Sequence, residues 1–192
     1  MMVKSYTAKQ LLDKVKSLDN FKQIPDGRWI LGVRSNEDTP NKFDDKFYIF
    51  DGETFVMVLS GTTNPGTPTL SQFEKVNKAG AAVLKADKWY YNVWQFGRHQ
   101  GKVDALLQLG AKVEVYRDID RDQKAEEQGN LQSGYFGINF HPNTYKANGK
   151  GGELIGWWSA GCQVSNDERY WKLIAFFKAN QKNVSYCLIK EF

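Results

Sequence analysis

The chain has 192 residues, of which 41% are hydrophobic and 25% charged, and its formal net charge is +4. This length and composition are those of a globular protein that can bury its own core, and they exclude a fibrous or disordered chain. The charge excess is small and scattered, so nucleic acid is not expected as a partner. The sequence contains only two histidines and two cysteines, without metal-site or disulfide-framework spacing, so neither a metal nor another cofactor is expected.

The N-terminal segment, residues 1–24, predicts one amphipathic helix. Thr7 and Gln10 have the spacing of a capping box, and apolar residues follow at helical intervals as far as Leu18. The segment lacks the apolar run and cleavage site of a signal peptide, and no stretch of the chain is long enough to span a bilayer. We therefore expect a protein that is made in the cytoplasm and has no membrane-spanning segment.

Residues 28–164 predict a β-rich core. Short aromatic and β-branched runs are separated by turn signals, and Asp51-Gly52 suits a tight hairpin. Residues 103–109 are predicted to be helical or irregular. Residues 134–141 are predicted to form a strand in which Asn139 and His141 share one face, because side chains alternate along a strand.

The acidic run that begins at Asp118 invites comparison with a calcium-binding loop. An EF-hand loop needs glycine at its sixth position and glutamate at its twelfth. Here those positions hold Gln123 and Gly129. We therefore predict a solvated loop rather than a metal site.

The remaining residues, 166–192, predict a helix and a closing strand. Asn166 or Asp167 would cap the helix, and an apolar stripe follows from Tyr170 to Phe177. No repeat or linker is visible, so residues 1–192 are predicted to be one domain. The predicted fold class is mostly β with flanking helices (α+β).

The segment from Ser159 to Gln163 carries the clearest chemical signal. A cysteine after a glycine can lie at a tight bend with its sulfur exposed, and Gly161 lets the backbone approach a substrate carbonyl. An imidazole nearby would relay protons for Cys162, and His141 ends the predicted strand upstream. The sulfur of Cys162 and a ring nitrogen of His141 are therefore expected within hydrogen-bond reach. The alternative is that Cys162 is buried and unreactive.

Four segments fall in an order that resembles a known family. They are G-R-H-Q-G at residues 97–101, Y-R-D at 116–118, G-Y-F-G-I-N-F-H at 134–141 and W-S-A-G-C-Q-V at 158–164. Together they resemble the YkuD-type L,D-transpeptidase catalytic domain, in a divergent branch found in phage and prophage proteins. The likeness covers about residues 54–164. It implies an L,D-transpeptidase-like β-sandwich or barrel that carries out cysteine acyl transfer on peptidoglycan stem peptides.

The resemblance also implies roles for individual residues. Cys162 would be the nucleophile, and His141 would act first as general base and then as general acid. The backbone carbonyl of Pro142 would orient the His141 ring. Backbone N–H groups of Ala160, Gly161 and Cys162 would bind the oxyanion.

Further residues are candidates for substrate contacts. This set comprises Ser159, Asn139, Trp158, Arg117, His99 and Gln163. Asn139 is expected to reach toward His141, and His99 either packs against the protein or lines the cleft.

The sequence departs from the family pattern at two places. Ala160 replaces the usual histidine, and the arginine usually found just after the cysteine is absent. Arg117 could replace that cation as a carboxylate-binding group, or it could pair with Asp118 or Asp120. Cys187 is predicted to be a small core residue.

The leading hypothesis is a cysteine enzyme that forms a thioester with a peptidoglycan peptide and passes it to an amine or to water. One alternative is a non-catalytic cell-wall-binding or virion structural module. Another is a thiol amidohydrolase that acts on a soluble substrate. We expect a monomer that is delivered to the cell wall by a phage or a secretion route.

Overall fold

The computed structural model describes residues 3–37 and 39–192, so Met1 and Met2 of the predicted N-terminal segment lie outside the described residues. In this part of the chain the strands are β1 Arg28–Arg34, β2 Asp45–Asp51, β3 Thr54–Thr62, β4 Ala81–Leu84, β5 Lys88–His99, β6 Val103–Gln108, β7 Val113–Asp118, β8 Asn130–Gly134, β9 Phe140–Pro142, β10 Gln163–Ser165 and β11 Asn183–Lys190. The α-helices are α1 Ala8–Lys16, α2 Thr67–Ser71 and α3 Tyr170–Asn180, and Phe73–Lys75 and Gly156–Trp158 form short 3₁₀ turns.

Eight strands close into a barrel in the order β1-β11-β5-β6-β9-β10-β3-β2. Neighbouring strands are antiparallel, except that β1 runs parallel to β11 and β9 runs parallel to β10. Strands β4, β7 and β8 form a separate antiparallel sheet. The predicted fold class, mostly β with flanking helices, is confirmed.

Aromatic side chains fill the barrel. Trp94 stacks on Tyr186 with ring centroids 4.5 Å apart and on Phe140 at 5.7 Å. The predicted apolar stripe of α3 packs into the same core. Burial of each large side chain contributes about 1.5–3 kcal/mol. The indole Nε1–H of Trp94 also donates to the carbonyl of Ile138 at 2.7 Å, which ties the segment before β9 to the core.

Helix α1 covers the outer face of the barrel. The predicted capping box of Thr7 and Gln10 is formed in both directions. Leu11 and Val15 are fully buried in a second core that also contains Cys187, which is buried as predicted.

Two predicted elements differ from the structure. Residues 103–109, predicted to be helical or irregular, contain strand β6, which is buried on both faces and so lacks the alternation that marks a strand. Residues 134–141 do not form one strand, because β8 ends at Gly134 and β9 begins at Phe140. Between them Gly137 has φ +71°, and the Gln108 side chain takes the place of a partner strand, accepting two backbone N–H bonds at 3.0 Å.

A buried carboxylate joins three barrel strands. Asp45, at the start of β2, accepts hydrogen bonds from the backbone N–H groups of Ser35 and Thr63, at 2.7 and 2.6 Å, and from the Thr63 hydroxyl. Arg34 binds the same hydroxyl and pairs with Glu127 at 2.7 Å, which links the barrel to the loop between β7 and β8. Burial, reinforced by the charge of Asp44, raises the pKa of Asp45 to about 7.

We expect this carboxyl to make stability depend on pH. Because its pKa is about 7 when folded against an ordinary value of 3.8, the folded state binds more protons between those values. The contribution of Asp45 to the free energy of unfolding should therefore fall as pH rises from about 4 to about 7. Urea unfolding of the wild type and Asp45→Asn across this range measures that contribution, because the comparison subtracts the other titrating groups. These include Asp118, whose pKa burial raises to about 6, and His141, whose pKa burial lowers to about 3. Equal pH slopes in the two proteins would contradict it.

Candidate active site

The backbone bends sharply just before Cys162. The Ser159 hydroxyl donates to the carbonyl of Cys162 at 2.8 Å and accepts the N–H of Gly161 at 3.2 Å. Gly161 has φ +133°, and a Cβ there would lie 2.6 Å from the carbonyl oxygen of Ala82. Glycine is therefore required at this position, and the bend fixes where the cysteine begins.

Gln163 holds the same bend from inside the barrel. Its Nε2 donates to the carbonyl of Gly161 at 3.2 Å, and its Oε1 accepts the hydroxyl of Tyr186 at 2.7 Å. Gln163 and Ser159 have no exposed surface. Both were predicted to contact substrate; in this structure they are buried and their polar atoms hold the bend.

The register of β9 and β10 places the candidate pair on one face. Phe140 lies opposite Gln163, and His141 lies opposite Val164. The side chains of Phe140 and Gln163 are buried in the barrel, so those of His141 and Val164 point to the other side. Cys162, two residues before Val164, is on that side too. The structure thus brings Cys162 and His141 to the same face of neighbouring strands.

The hydrogen bond of the His141 ring defines its tautomer. Nδ1 lies 2.9 Å from the carbonyl oxygen of Pro142. A carbonyl can only accept, so Nδ1 carries the proton and Nε2 carries a lone pair. Nε2 is buried and has no hydrogen-bond partner in the described residues. Burial and the neighbouring His99 lower the pKa of His141 to about 3, so the ring is neutral.

The thiol of Cys162 is partly exposed and is bonded elsewhere. It donates to the carbonyl of Gly137 at 3.4 Å. The expected hydrogen bond to His141 is not formed in this state, since Nε2 has no partner. Burial raises the pKa of Cys162 to about 11, although the backbone N–H of Asn139 partly offsets this. Thiol and imidazole are therefore both neutral at pH 7, and no ion pair is preformed.

His99 lies against the candidate base. Its ring stacks on that of His141, with centroids 3.9 Å apart and planes inclined by 14°. Asn139, expected to reach toward His141, instead places its Nδ2 3.1 Å from Nδ1 of His99. His99 is half-buried and is not among the residues lining the cleft beside Cys162.

Trp158, a candidate for a substrate contact, lies beside Cys162. It belongs to the 3₁₀ turn Gly156–Trp158. Trp158 and Cys162 pack together against a small cluster formed by Phe43, Ile155 and Val164. Trp158 is not among the residues that line the cleft at Cys162, so its substrate contact stays a prediction.

A cleft of about 430 Å³ opens at Cys162. Its lining includes Ala160, Arg117 and the aromatic residues Tyr135 and Phe136. A larger cleft, about 530 Å³, lies elsewhere between residues 23–27 and 180–185, and it contains neither a cysteine nor a histidine. The smaller cleft is therefore the candidate substrate site.

Arg117 is a buried cation at this cleft. Only 7% of its surface is exposed, and its guanidinium lies 4.8 Å from the centre of the Phe136 ring. It donates to Gln132 at 2.8 Å, and burial lowers its pKa. Neither Asp118 nor Asp120, nor any other carboxylate in residues 3–37 and 39–192, forms an ion pair with it. Its charge is therefore unpaired within the described protein.

The bend leaves two of the three predicted oxyanion donors available. The N–H of Gly161 is already bonded to Ser159. The N–H groups of Ala160 and Cys162 donate no hydrogen bond within the described part of the chain. Gly161 thus contributes through its backbone conformation, and Ala160 and Cys162 are the candidate donors.

A group of carboxylates lies on the loop between β7 and β8. The ligand atoms of Asp120, Asp122 and Glu126 all lie within 4.8 Å of one another, and this is the only such group among the residues described. Exposed carboxylates often cluster without an ion, and none of these three lines the cleft at Cys162. This carboxylate group is therefore separate from the candidate site.

Sequence analysis missed Gln108 and the carbonyl of Gly137. Gln108, at the end of β6, receives the N–H groups of residues 136 and 138, and its own N–H donates to Oδ1 of Asn139 at 2.9 Å. A glycine inside a predicted strand, as at Gly137, is a known sign of a bulge or a close backbone approach. Nothing local marks Gln108, because its partners are about 30 positions away.

Comparisons of the chain with family models, with characterised proteins and with solved structures found no match. In the described residues, no helix combines the length and the apolar run needed to cross a bilayer.

The neutral state of Cys162 predicts how it reacts with iodoacetamide. With a pKa raised to about 11, the thiol should react more slowly at pH 8 than an unperturbed thiol. Its rate should rise from pH 6 to 10 without a plateau, whereas a preformed ion pair would give a plateau near neutrality. Mass spectrometry of labelled peptides measures this. Cys187, fully buried, should label more slowly still, and Cys162→Ala supplies the background.

Proposed function

We propose that this chain is a cysteine acyl-transfer enzyme that acts on peptidoglycan stem peptides through a thioester at Cys162. The observation that carries the proposal is the buried, unpartnered Nε2 lone pair of His141 on the same sheet face as the thiol. Burying a polar atom without a hydrogen bond costs free energy, so such an atom calls for a functional explanation. The resemblance of residues 158–164 to the L,D-transpeptidase cysteine motif supports the same assignment.

Acylation follows from the two neutral groups. The Cys162 side chain rotates away from the Gly137 carbonyl, and Nε2 of His141 takes the thiol proton as sulfur bonds to the substrate carbonyl carbon. The N–H groups of Ala160 and Cys162 bind the oxyanion that results. The carbon–nitrogen bond then breaks, His141 gives its proton to the leaving amine, and a thioester remains on Cys162.

Deacylation reverses the roles. An amine or a water molecule attacks the thioester carbon while His141 accepts its proton, and the proton returns to the sulfur as the carbon–sulfur bond breaks. An amine acceptor gives a transpeptidase and water gives a peptidase. The Pro142 carbonyl keeps the ring oriented through both steps, and it stabilises the imidazolium because it accepts the Nδ1 proton.

The cleft indicates a substrate that carries a carboxylate. Arg117 is buried at its lining without an anionic partner, and a substrate carboxylate would supply one. Stem peptides carry free carboxylates. The role as carboxylate-binding cation is therefore the one we propose for Arg117.

One observation favours a second candidate, a non-catalytic wall-binding or virion structural module. The thiol donates to Gly137 rather than to His141, so the two groups are not hydrogen-bonded in the state described. Such a module would retain the cleft and its affinity without turnover. A soluble thiol amidohydrolase is the remaining alternative, and it would hydrolyse free dipeptides but not muropeptides.

The proposed roles of Cys162 and His141 predict the effect of replacing them on turnover. Cys162→Ala and His141→Gln should each lower the turnover rate by about 10³-fold or more, as expected for a residue of a catalytic pair. The muropeptide pattern should then no longer change. Cys187→Ala, which alters the other cysteine, should retain activity and serves as the matched control. Muropeptide mass spectrometry measures both. Unchanged patterns with the wild type, together with retained binding to sacculi, would favour the structural module.

The proposed role of Arg117 predicts how its replacement changes KM. Arg117→Gln should raise KM for a donor with a free carboxylate by about tenfold or more, because a charge-assisted hydrogen bond is lost. A donor whose carboxylate is amidated should already have a high KM with the wild type, and Arg117→Gln should raise that KM little further. Arg117→Lys keeps the charge but loses the planar guanidinium, so its KM for the carboxylate donor should lie between those of the wild type and Arg117→Gln. Equal losses for both donors would show that Arg117 only supports the fold.

A further inference from the structure

We propose that His99 is a positioning residue, which Asn139 holds as a neutral ring with its proton on Nε2, so that the proton taken from Cys162 is confined to His141. The tautomer follows from hydrogen-bond geometry alone. The catalytic consequence rests on the proposed function.

The argument begins at a backbone N–H. The N–H of Gln108 can only donate, and it donates to the Asn139 side chain at 2.9 Å, so that atom is the amide oxygen. The Nδ2 of Asn139, which can only donate, therefore faces Nδ1 of His99 at 3.1 Å. Nδ1 must accept and carries no proton. A neutral His99 ring then has its proton on Nε2.

The two stacked rings thus have opposite tautomers. His141 is protonated at Nδ1 by its bond to the Pro142 carbonyl, whereas His99 is protonated at Nε2. A second proton on His99 would point at the Nδ2–H of Asn139, donor against donor. It would also place two positive rings 3.9 Å apart when His141 is charged. A neutral His99 instead offers its aromatic face to the His141 imidazolium.

Other charged groups near the rings have their own partners. On the hairpin next to His99, Arg98 pairs with Asp104, and the ammonium of Lys102 lies 4.6 Å from the centre of the Tyr145 ring. On the facing strands the titratable neighbours are His141 itself and Cys162. In the described residues, His99 is the one charged or titratable side chain that acts on the pKa of His141.

The ring nitrogens can be observed directly, because the chain has only two histidines. Long-range ¹H–¹⁵N spectra of the wild type at pH 7 should show one ring protonated at Nδ1 and the other at Nε2. His99→Phe assigns them by removing one set of signals. Two rings with the same tautomer, or a His99 that is charged at pH 7, would overturn the proposal whether or not the protein is an enzyme.

Asn139→Asp tests whether Asn139 keeps Nδ1 of His99 without a proton. One carboxylate oxygen can still accept the Gln108 N–H, and the other now faces Nδ1 and favours a proton there. The His99 ring should then titrate above its ordinary pKa of 6.5, visible in the same spectra. Unchanged His99 nitrogen shifts in this variant would contradict the proposal.

Kinetics separate positioning from mere packing. His99→Ala should lose about tenfold or more in turnover, and His99→Phe, which restores a flat neutral ring against His141, should recover part of that loss. Asn139→Asp should lose turnover mainly at low pH, where His99 is charged, and recover as pH rises. A pH-independent loss would indicate only a structural role. If the wild type shows no turnover, the proposed function fails, and the nitrogen spectra still decide the tautomers.

Discussion

The candidate site depends on a buried glutamine next to Cys162, the candidate nucleophile. Gln163 lies inside the barrel. Its Oε1 accepts the hydroxyl of Tyr186, and its Nε2 donates to the backbone carbonyls of Thr63 and Gly161. Because it holds the carbonyl of Gly161, the bend cannot relax without leaving a buried amide unsatisfied. The sulfur of Cys162 is therefore positioned by the barrel interior, and the outer surface is left free to form the cleft.

The surroundings of His141 and Cys162 favour the neutral form of both groups. The tautomer of each ring is fixed by a neighbour that can only accept or only donate a hydrogen bond. The Pro142 carbonyl accepts from His141, and the Asn139 amide group donates to His99. Burial then favours the neutral forms of both His141 and Cys162. Proton transfer is coupled to bond formation in such an arrangement, whereas a standing thiolate would react with any electrophile that enters.

Local patterns in the sequence predicted local features. The Thr7 capping box and the Asp51-Gly52 hairpin depend on residues a few positions apart, and both are present. The inward direction of Gln163 was missed, because it depends on the bend at Gly161. The stacking of His99 on His141 was missed too, because it depends on how β5 and β9 meet in the closed barrel. The roles of Cys162 and His141 stay predictions, since no local pattern tests chemistry.

The parallel pairing of β1 with β11 also has a consequence for folding. β11 lies between β1 and β5, so both of these strands keep an open edge until residues 183–190 have been synthesised. Pairing across so long a stretch of chain is slow, and open edges favour aggregation. Chains that end before residue 183 should therefore be unable to close the barrel, and Cys162 acquires its final surroundings only once β11 is in place.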